Sequence, residues 1–278
     1  MQKNIPTLHI KNKLISLQKP IVMGILNVTP DSFYEESRIN TDVAILKKAS
    51  QMLEEGATIL DIGGYSTRPD ADDIPIEEEI KRVVHPISVI KKEFPNAIIS
   101  IDTFRSKVAR EAINAGADLI NDVSGGNLDT QMFETVASLK VPYILMHMRG
   151  TPQTMKTLTD YENIIAEMMT YFQSRITTLK SFGVEEIILD LGFGFAKTID
   201  QNYFLLKNLA VFEQLEFPIL AGISRKSMIY KKLDISVSET LNGTSVLNTI
   251  ALQNGAKILR VHDVKEAMEA IQLLEYLK

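Results

Sequence analysis

Short apolar runs alternate along the chain with longer segments whose apolar residues recur at helical spacing. The first run, residues 21–26, is uniformly apolar and turns polar at Asn27, as expected of a strand buried on both faces. Strands are predicted at 21–26, 58–62, 97–101, 118–121, 142–146, 186–190, 217–221 and 257–261. Helices are predicted at 41–55, 75–92, 105–115, 129–139, 160–182, 200–210, 236–254 and 263–277.

A loose internal repeat supports these boundaries. At Gly56, Gly116 and Gly255 a predicted helix stops, Ala follows, and a short apolar strand ends in a polar residue. Glycine at the stop can adopt the left-handed conformation that ends helices. Strand, helix and strand in this order form a βα unit of a parallel sheet, and about eight units predict a (β/α)8 TIM barrel. The alternative is a doubly wound open sheet, but no Gly-x-Gly-x-x-Gly follows the first strand.

The N-terminal segment is predicted to close one end of this barrel. Residues 7–17 have the pattern of a short β-hairpin that turns at residues 11–13. Within residues 1–19, this N-terminal hairpin would cap the barrel. The 278 residues suit a single TIM-barrel domain over 1–278, since such barrels typically run to ~250 residues.

Composition narrows the class of protein. The net charge of −5 argues against nucleic acid or an anionic membrane as a partner. The chain has no cysteine, which excludes disulfides, zinc thiolates, iron–sulfur clusters and thiol nucleophiles. No apolar stretch approaches the ~20 residues of a membrane span, and the N-terminus lacks a signal-type apolar run. We therefore expect a cytoplasmic protein that uses no membrane.

Polar residues follow the predicted strands, and in a barrel these strand ends form the active face. They are Asn27, Asp61, Asp102, Asn121, His147, Asp190, Ser224, Arg225, Lys226, Arg260 and His262. Asp and Asn together can pair with a flat heterocycle such as an amino-pyrimidinone, while Arg and Lys suit a phosphate or ring carbonyl. The pattern predicts a site for a planar, phosphorylated small molecule.

Each feature also has a structural interpretation. An Asp after a strand is often only a helix N-cap. His147 is expected to be structural rather than a metal ligand. Three glycine- or hydroxyl-rich segments, residues 61–69, 189–197 and 221–227, could be plain turns. In the second, Phe193 or Phe195 could belong to the core or stack on a planar ligand.

Motifs distributed from about residue 20 to the C-terminus together carry a family resemblance. They occupy residues 24–33, 61–64, 66–69, 100–103, 120–124, 146–148, 190–195, 224–227 and 260–264. In these residues and their order, the chain resembles the dihydropteroate synthases, folate-pathway enzymes that sulfonamides inhibit. The resemblance implies the same barrel fold. It also implies the condensation of 6-hydroxymethyl-7,8-dihydropterin diphosphate with 4-aminobenzoate, giving 7,8-dihydropteroate and pyrophosphate.

The resemblance also implies site residues. The pterin would be held by Asp102, Asn121, Asp190 and Lys226, with Met146 and Phe195 as walls. Asn27 would ligate Mg²⁺ on the diphosphate, and the phosphates would be held by Arg68, Arg260 and His262. The 4-aminobenzoate would be framed by Thr67, Pro69, Ser227 and Phe33. The group expected to act in catalysis is Lys226, Arg260, Asp102, Phe33 and Glu35, and a homodimer is implied.

The chemistry favours an SN1-like order. The pterin ring can delocalise the positive charge that remains on its methylene carbon after diphosphate leaves, and Mg²⁺ with two arginines stabilises the leaving group. An aromatic amine can attack that cation without a strong general base.

The loops depart from the family pattern at a few positions. Glu35 stands where an Asp is expected, Tyr65 replaces a Glu, and Asp70 and Ala196 replace glycines. These changes bear on loop dynamics and on 4-aminobenzoate affinity.

Three other functions compete with this one. A related pterin-binding barrel that transfers a methyl group to a corrinoid protein would share the Asp and Asn residues but would not need Arg68 and Arg260. A pterin-binding barrel without turnover is disfavoured because Lys226, Arg260 and Asn27 are all present. A Schiff-base aldolase would need its lysine on a strand, whereas Lys226 follows one.

Overall fold

The computed structural model describes residues 6–28, 38–66 and 73–277. Within them, eight parallel strands close into a barrel, and each strand pairs with its neighbours in a single circular order. The barrel strands are β3 (Ile21–Asn27), β4 (Ile59–Gly63), β5 (Ile98–Asp102), β6 (Leu119–Asp122), β7 (Tyr143–Met146), β8 (Ile187–Asp190), β9 (Ile219–Ala221) and β10 (Ile258–Val261). The predicted TIM barrel is confirmed, and β10 pairing with β3 rules out the open sheet.

Helices surround the barrel and follow its strands. They are α1 (Arg38–Glu54), α2 (Ile76–Glu93), α3 (Ser106–Asn114), α4 (Met132–Leu139), α5 (Ile164–Ser181), α6 (Ile199–Lys207), α7 (Ser227–Leu233), α8 (Leu241–Gln253) and α9 (Val264–Glu275). Outward-facing strand residues such as Leu60 and Ile101 pack with buried helix residues in one large apolar cluster. This packing holds the strand ends rigidly in place.

The N-terminal hairpin covers one end of the barrel. Its strands β1 (Thr7–Ile10) and β2 (Lys13–Ser16) are antiparallel. Leu8, Ile10 and Leu17 are buried in a cluster with the innermost residues of the barrel strands, including Ile59 and Ile98. These residues lie near the N-terminal ends of β4 and β5, so the opposite end of the barrel carries the polar strand ends. That 1–278 form one domain stays a prediction.

Two predicted helix assignments near the C-terminus are wrong. The sequence predicted one helix over 236–254 and none between 210 and 236, whereas α7 occupies Ser227–Leu233. Asp234 ends α7 in the left-handed conformation, with φ of 54°. A capping box between Ser236 and Glu239 then starts a separate 3₁₀ turn before α8. The seven residues of α7 are too few to give a periodic signal, so the hydrophobic pattern does not reveal this helix.

Other helix boundaries differ from the predicted ones because of local caps. α5 begins at Ile164 and not at residue 160, because the Asn163 side chain accepts a hydrogen bond from the backbone N–H of Ala166. α6 ends at Lys207 and is followed by a 3₁₀ segment, Leu209–Leu215. In the described part of the chain, no helix is long and apolar enough to cross a membrane.

Candidate active site

An ion-pair cluster lies inside the barrel near the C-terminal strand ends. Arg260, on β10, donates from Nε to Asp61 Oδ2 at 2.6 Å and from Nη2 to Asp102 Oδ2 at 2.5 Å. Asn121 Nδ2 donates to the same Asp61 oxygen at 3.1 Å. Four strands therefore contribute to one connected polar network. The other oxygen of Asp61, Oδ1, is buried without a hydrogen-bond partner among the described residues.

Burial strongly perturbs this cluster. It raises the pKa of Asp102 to about 7, against the lowering effect of Arg260 and with further raising by the carboxylates of Asp61, Glu79 and Asp122. Burial alone would lower the pKa of Arg260, but the charges of Asp61 and Asp102 outweigh it and raise that pKa above its ordinary value. Arg260 therefore stays charged, whereas Asp102 titrates near neutral pH.

A second charged pair lies beside the first. Asp190, at the end of β8, accepts a hydrogen bond from the backbone N–H of Gly192 at 2.8 Å, and burial raises its pKa. Lys226 follows β9, donates to the carbonyl oxygen of Phe193, and places Nζ 4.7 Å from the ring centroid of Phe195. Burial lowers the pKa of Lys226 to about 8, and Asp190 partly offsets this. The opposite charges of Asp190 and Lys226 therefore attract each other, and Lys226 lies over an aromatic ring.

An apolar surface borders these charges. Met146 packs with Val123, Met148, Met155 and Ala196 in a buried cluster, and Phe104, Leu128 and Phe195 pack against it. Phe193 is fully buried in the main core, whereas Phe195 is half-buried. Of these two phenylalanines, only Phe195 is therefore accessible to a planar ligand.

The loops after β7 and β8 are joined by a buried lysine. Lys197 Nζ lies 3.1 Å from His147 Nδ1, 3.1 Å from Gly192 O and 3.0 Å from Phe195 O. Burial lowers the pKa of Lys197 to about 7. Burial and the lysine charge also lower the pKa of His147 well below its usual range, so the imidazole is neutral and can accept a hydrogen bond. His147 is structural, in agreement with its interpretation from the sequence.

His262 is held in one orientation by Ser224. The backbone N–H of His262 donates to Ser224 Oγ at 3.2 Å, and Ser224 Oγ lies 3.0 Å from His262 Nδ1. Burial lowers the pKa of His262 to about 4, and the charges of Arg225 and Arg260 add to this effect. Because Ser224 can donate to Nδ1, the arrangement favours the neutral tautomer that carries its proton on Nε2.

Asn27 is suited to a magnesium ion held jointly with phosphates. It ends β3 with an exposed side chain. A Cβ added at Gly63 would lie 3.7 Å from both Asn27 Oδ1 and Asp102 Oδ2, so glycine leaves room between these two oxygens. Mg²⁺ prefers oxygen ligands and is commonly bound by few protein oxygens plus substrate phosphates. Within the described ranges no group of three His, Cys, Asp or Glu residues could hold a metal alone.

The structure brings most of the predicted residues together. Those that lie at the barrel mouth are Asn27, Asp102, Asn121, Met146, Asp190, Phe195, Lys226, Arg260 and His262. Ser227 is the first residue of α7 and is half-buried. Predictions for Phe33, Glu35, Thr67, Arg68 and Pro69 lie outside the described residues.

Sequence reasoning placed Asp61 on the active face without a specific role and gave Lys197 no role. Asp61 lies near the end of β4, shortly before two glycines, and this position was the usable signal. Lys197 had none, because its burial depends on how the chain folds back after β8.

Comparisons with known proteins identify the family of this chain. Residues 23–262 match the family described as pterin binding enzyme. The chain is 43% identical over 268 residues to the dihydropteroate synthase of Haemophilus influenzae, covering 96% of this chain and 97% of that protein.

Two solved structures are similar over nearly the whole chain. The Yersinia pestis dihydropteroate synthase, in a sulfonamide drug complex, matches with a TM-score of 0.91 and 38% identity, covering 98% of this chain and 99% of that chain. The Xanthomonas albilineans dihydropteroate synthase, with 4-aminobenzoic acid, matches with a TM-score of 0.89 and 36% identity, covering 99% and 98%.

The closed barrel, its polar strand ends and the family match define a pterin-binding barrel enzyme. The chain belongs to the dihydropteroate synthase family, whose members are transferases.

Proposed function

We propose that this protein condenses 6-hydroxymethyl-7,8-dihydropterin diphosphate with 4-aminobenzoate, giving 7,8-dihydropteroate and pyrophosphate by an SN1-like mechanism. The observation that carries the proposal is the cluster of Asp102, Asn121, Asp190 and Lys226 beside the half-buried ring of Phe195. Its carboxylates, amide and ammonium group complement the donors and acceptors of a pterin ring. Such a cluster has no evident use in a structural barrel.

Pterin recognition depends on the two acids being held in place. Asp102 is fixed by Arg260 and Asp190 by the backbone of Gly192, so each acid keeps one defined orientation. The ring N–H groups of the pterin would donate to these carboxylates, and Lys226 would donate to an acceptor on the ring. Met146 and Phe195 would contact the ring face.

Bond breaking would come first. The carbon–oxygen bond breaks, its electron pair stays on the departing diphosphate, and the cation on the methylene carbon is delocalised into the pterin. His262 could donate from Nε2 to a phosphate oxygen, and Arg260 has N–H donors beyond the two bound to Asp61 and Asp102. Asn27 would hold Mg²⁺, which when bound offsets the negative charge that grows on the leaving group.

Carbon–nitrogen bond formation would complete the reaction. The amine nitrogen of 4-aminobenzoate donates its lone pair to the methylene carbon and then loses a proton to solvent or pyrophosphate. The roles of Phe33, Thr67, Pro69 and Ser227 around the 4-aminobenzoate stay predictions, as do those of Arg68 at the phosphates and of Glu35 beside the cation.

The test is pyrophosphate release with Mg²⁺, measured with and without 4-aminobenzoate. The unmodified protein should form dihydropteroate and pyrophosphate in equal amounts, whereas Lys226→Met should lose pterin binding. Lys231→Met is the matched control, since Lys231 lies on α7, the helix that begins directly after Lys226, but is exposed. Pterin binding without any release would contradict the proposed reaction. If a rapid-mixing experiment shows dihydropteroate with no earlier release of pyrophosphate, only the SN1-like order is contradicted and the proposed reaction stands.

We also infer a homodimer and a cytoplasmic location. Supporting the dimer, Leu233, Val237 and Val246 are apolar side chains about half exposed near α7 and α8, while Leu247 and Ile271 are buried within the protomer. In sedimentation velocity, the unmodified protein should be a dimer, and the double variant Leu233→Asp/Val246→Asp should be a monomer. A monomer at micromolar concentration in both would contradict the inference.

A further inference from the structure

Lys197 is the most buried cation in the described residues that the proposed reaction does not use. Its side chain is only 8% exposed, although lysine is almost never buried without partners. Its Nζ faces four acceptors: Nδ1 and the carbonyl oxygen of His147, at 3.1 and 3.4 Å, and the carbonyl oxygens of Gly192 and Phe195, at 3.1 and 3.0 Å. The Gly192 carbonyl also accepts from the backbone N–H of Phe195 at 3.0 Å, so an apolar replacement would leave unpaired chiefly His147 Nδ1 and the carbonyl oxygens of His147 and Phe195.

The four acceptors belong to two separate segments. His147 follows β7, whereas Gly192 and Phe195 begin and end the turn that follows β8. This turn approaches β7 so closely that a Cβ at Gly192 would lie 2.2 Å from the carbonyl oxygen of His147. Carbonyl oxygens from both segments lie within 3.4 Å of one point, the Nζ of Lys197, and such oxygens repel each other unless a donor lies between them. The lysine ammonium, with up to three N–H donors, supplies it.

The same turn carries two contacts of the proposed pterin pocket. The ring of Phe195 lies under Lys226 Nζ, and the carbonyl of Phe193 accepts the hydrogen bond from Lys226. Lys197 therefore bonds one side of the four-residue turn 192–195, and the other side of the same turn contacts Lys226. A shift of this turn would move the aromatic wall and the neighbouring ammonium group together.

We propose that Lys197 is a positioning residue for the pterin pocket, which it acts on by fixing the Gly192–Phe195 turn against the end of β7. The inference rests on the proposed function, because it concerns the pterin pocket. Lys197 does not itself contact the ring in this assignment. Its removal should weaken pterin binding more than it affects 4-aminobenzoate.

The test compares Lys197→Met with Lys91→Met. Lys91 is a matched control, since it is largely buried and its Nζ bonds Ala97 O and Asp118 at the opposite end of the barrel. The measurements are the Kd for the unphosphorylated pterin alcohol, the Michaelis constant for each substrate and the midpoint of thermal unfolding. Lys197→Met should raise the pterin Kd about tenfold or more. It should leave the Michaelis constant for the aminobenzoate substrate within about twofold, while Lys91→Met lowers thermal stability alone.

A double-mutant cycle with Phe195→Ala shows whether Lys197 acts through the turn. Contacting or coupled residues give non-additive effects, so the double variant should bind pterin no more weakly than the worse single variant. Equal pterin affinity with and without Lys197, or strictly additive effects, would overturn the positioning role. If Lys197→Met does not fold, Lys197→Gln, which keeps N–H donors, replaces it in the same cycle. An unmodified protein that binds no pterin would instead contradict the proposed function.

Discussion

The guanidinium group of Arg260 lies 2.6 Å from the carboxylate of Asp61, and Asp61 also accepts a hydrogen bond from Asn121. Asp61 is on β4, which pairs with β3 and β5 but with neither β10 nor β6. The Asp61 side chain thus connects Arg260 and Asn121, although the strands that carry these two residues do not pair with β4. Asp61 is not itself a proposed substrate contact, yet it orients Asn121, a proposed pterin contact, and Arg260, a proposed phosphate contact.

Replacing Asp61 with Asn should weaken pterin binding. The change leaves Arg260 with one carboxylate fewer, and breaking a buried ion pair costs about 3–5 kcal/mol of stability. The change should also let Arg260 and Asn121 reorient, because Asp61 holds both side chains. We expect the pterin Kd, measured by fluorescence titration, to rise about tenfold or more.

Asp118→Asn is the matched control for that change. Asp118 is also buried but pairs with Lys11 and Lys91 near the N-terminal hairpin, far from the strand ends. Both variants should lower the free energy of unfolding in urea, and only Asp61→Asn should alter the pterin Kd. If the two variants bind pterin equally well, Asp61 has no orienting role.

Pterin affinity should depend on the ionisation of Asp102. Because burial raises the pKa of Asp102 to about 7, this carboxyl group becomes protonated as the pH falls below that value. A carboxylate accepts hydrogen bonds from ring N–H groups more strongly than a neutral acid does. The pterin Kd should therefore rise as the pH falls from about 7.5 to about 5.5, approaching about tenfold per pH unit once protonation is nearly complete.

Lys197 also titrates in this range, since burial lowers its pKa to about 7, so a variant must separate the two groups. Asp102→Asn should bind pterin weakly, with a Kd that no longer rises as the pH falls, because protonation of Lys197 would strengthen its hydrogen bonds and act in the opposite direction. If the pterin Kd of Asp102→Asn still changes with pH as steeply as that of the unmodified protein, the titrating group is not Asp102.

Much of this site could be predicted because each polar residue directly follows an apolar run. Asp102, Asn121 and Asp190 end strands β5, β6 and β8 or stand next to their ends, so the parallel barrel alone brings them together. The eight strands were likewise predictable, since buried parallel strands are short and uniformly apolar.

What could not be predicted depends on contacts between distant segments. Arg260 was expected to face the phosphates, but two of its donors bind Asp61 and Asp102, whose positions only the closed barrel reveals. Lys197 ends a glycine-rich segment that could be a plain turn, and its burial follows from the turn of the chain after β8. The helix Ser227–Leu233 was not predicted because seven residues are too few to give a periodic hydrophobic signal.

His262 should act as a neutral hydrogen-bond donor and not as a cation. Its pKa is lowered to about 4 by burial and by the neighbouring arginines, so it stays largely unprotonated near neutral pH. His262→Gln, which keeps an N–H donor, should retain most affinity for the pterin diphosphate, whereas His262→Leu should lose it. Binding of the unphosphorylated pterin alcohol should be unchanged in both, as shown by parallel titrations. Equal losses in the two variants would mean that more than a donor is needed.

Gly192 is the position where an added methyl group should damage the site most directly. Its φ is +66°, and a Cβ there would lie 2.2 Å from the carbonyl oxygen of His147. Gly183 provides the control, because it has a similar φ of +84° but nothing within 4 Å of the added Cβ. Gly183→Ala should cost only the left-handed backbone strain of about 1–2 kcal/mol. Gly192→Ala adds a clash with backbone that cannot move freely, so it should lose about 2 kcal/mol more and also weaken pterin binding, because the turn that carries Phe195 must shift. Urea unfolding and pterin titration of both variants check this expectation, and equal losses of stability with unchanged pterin affinity would show that the approach of the two loops is not tight.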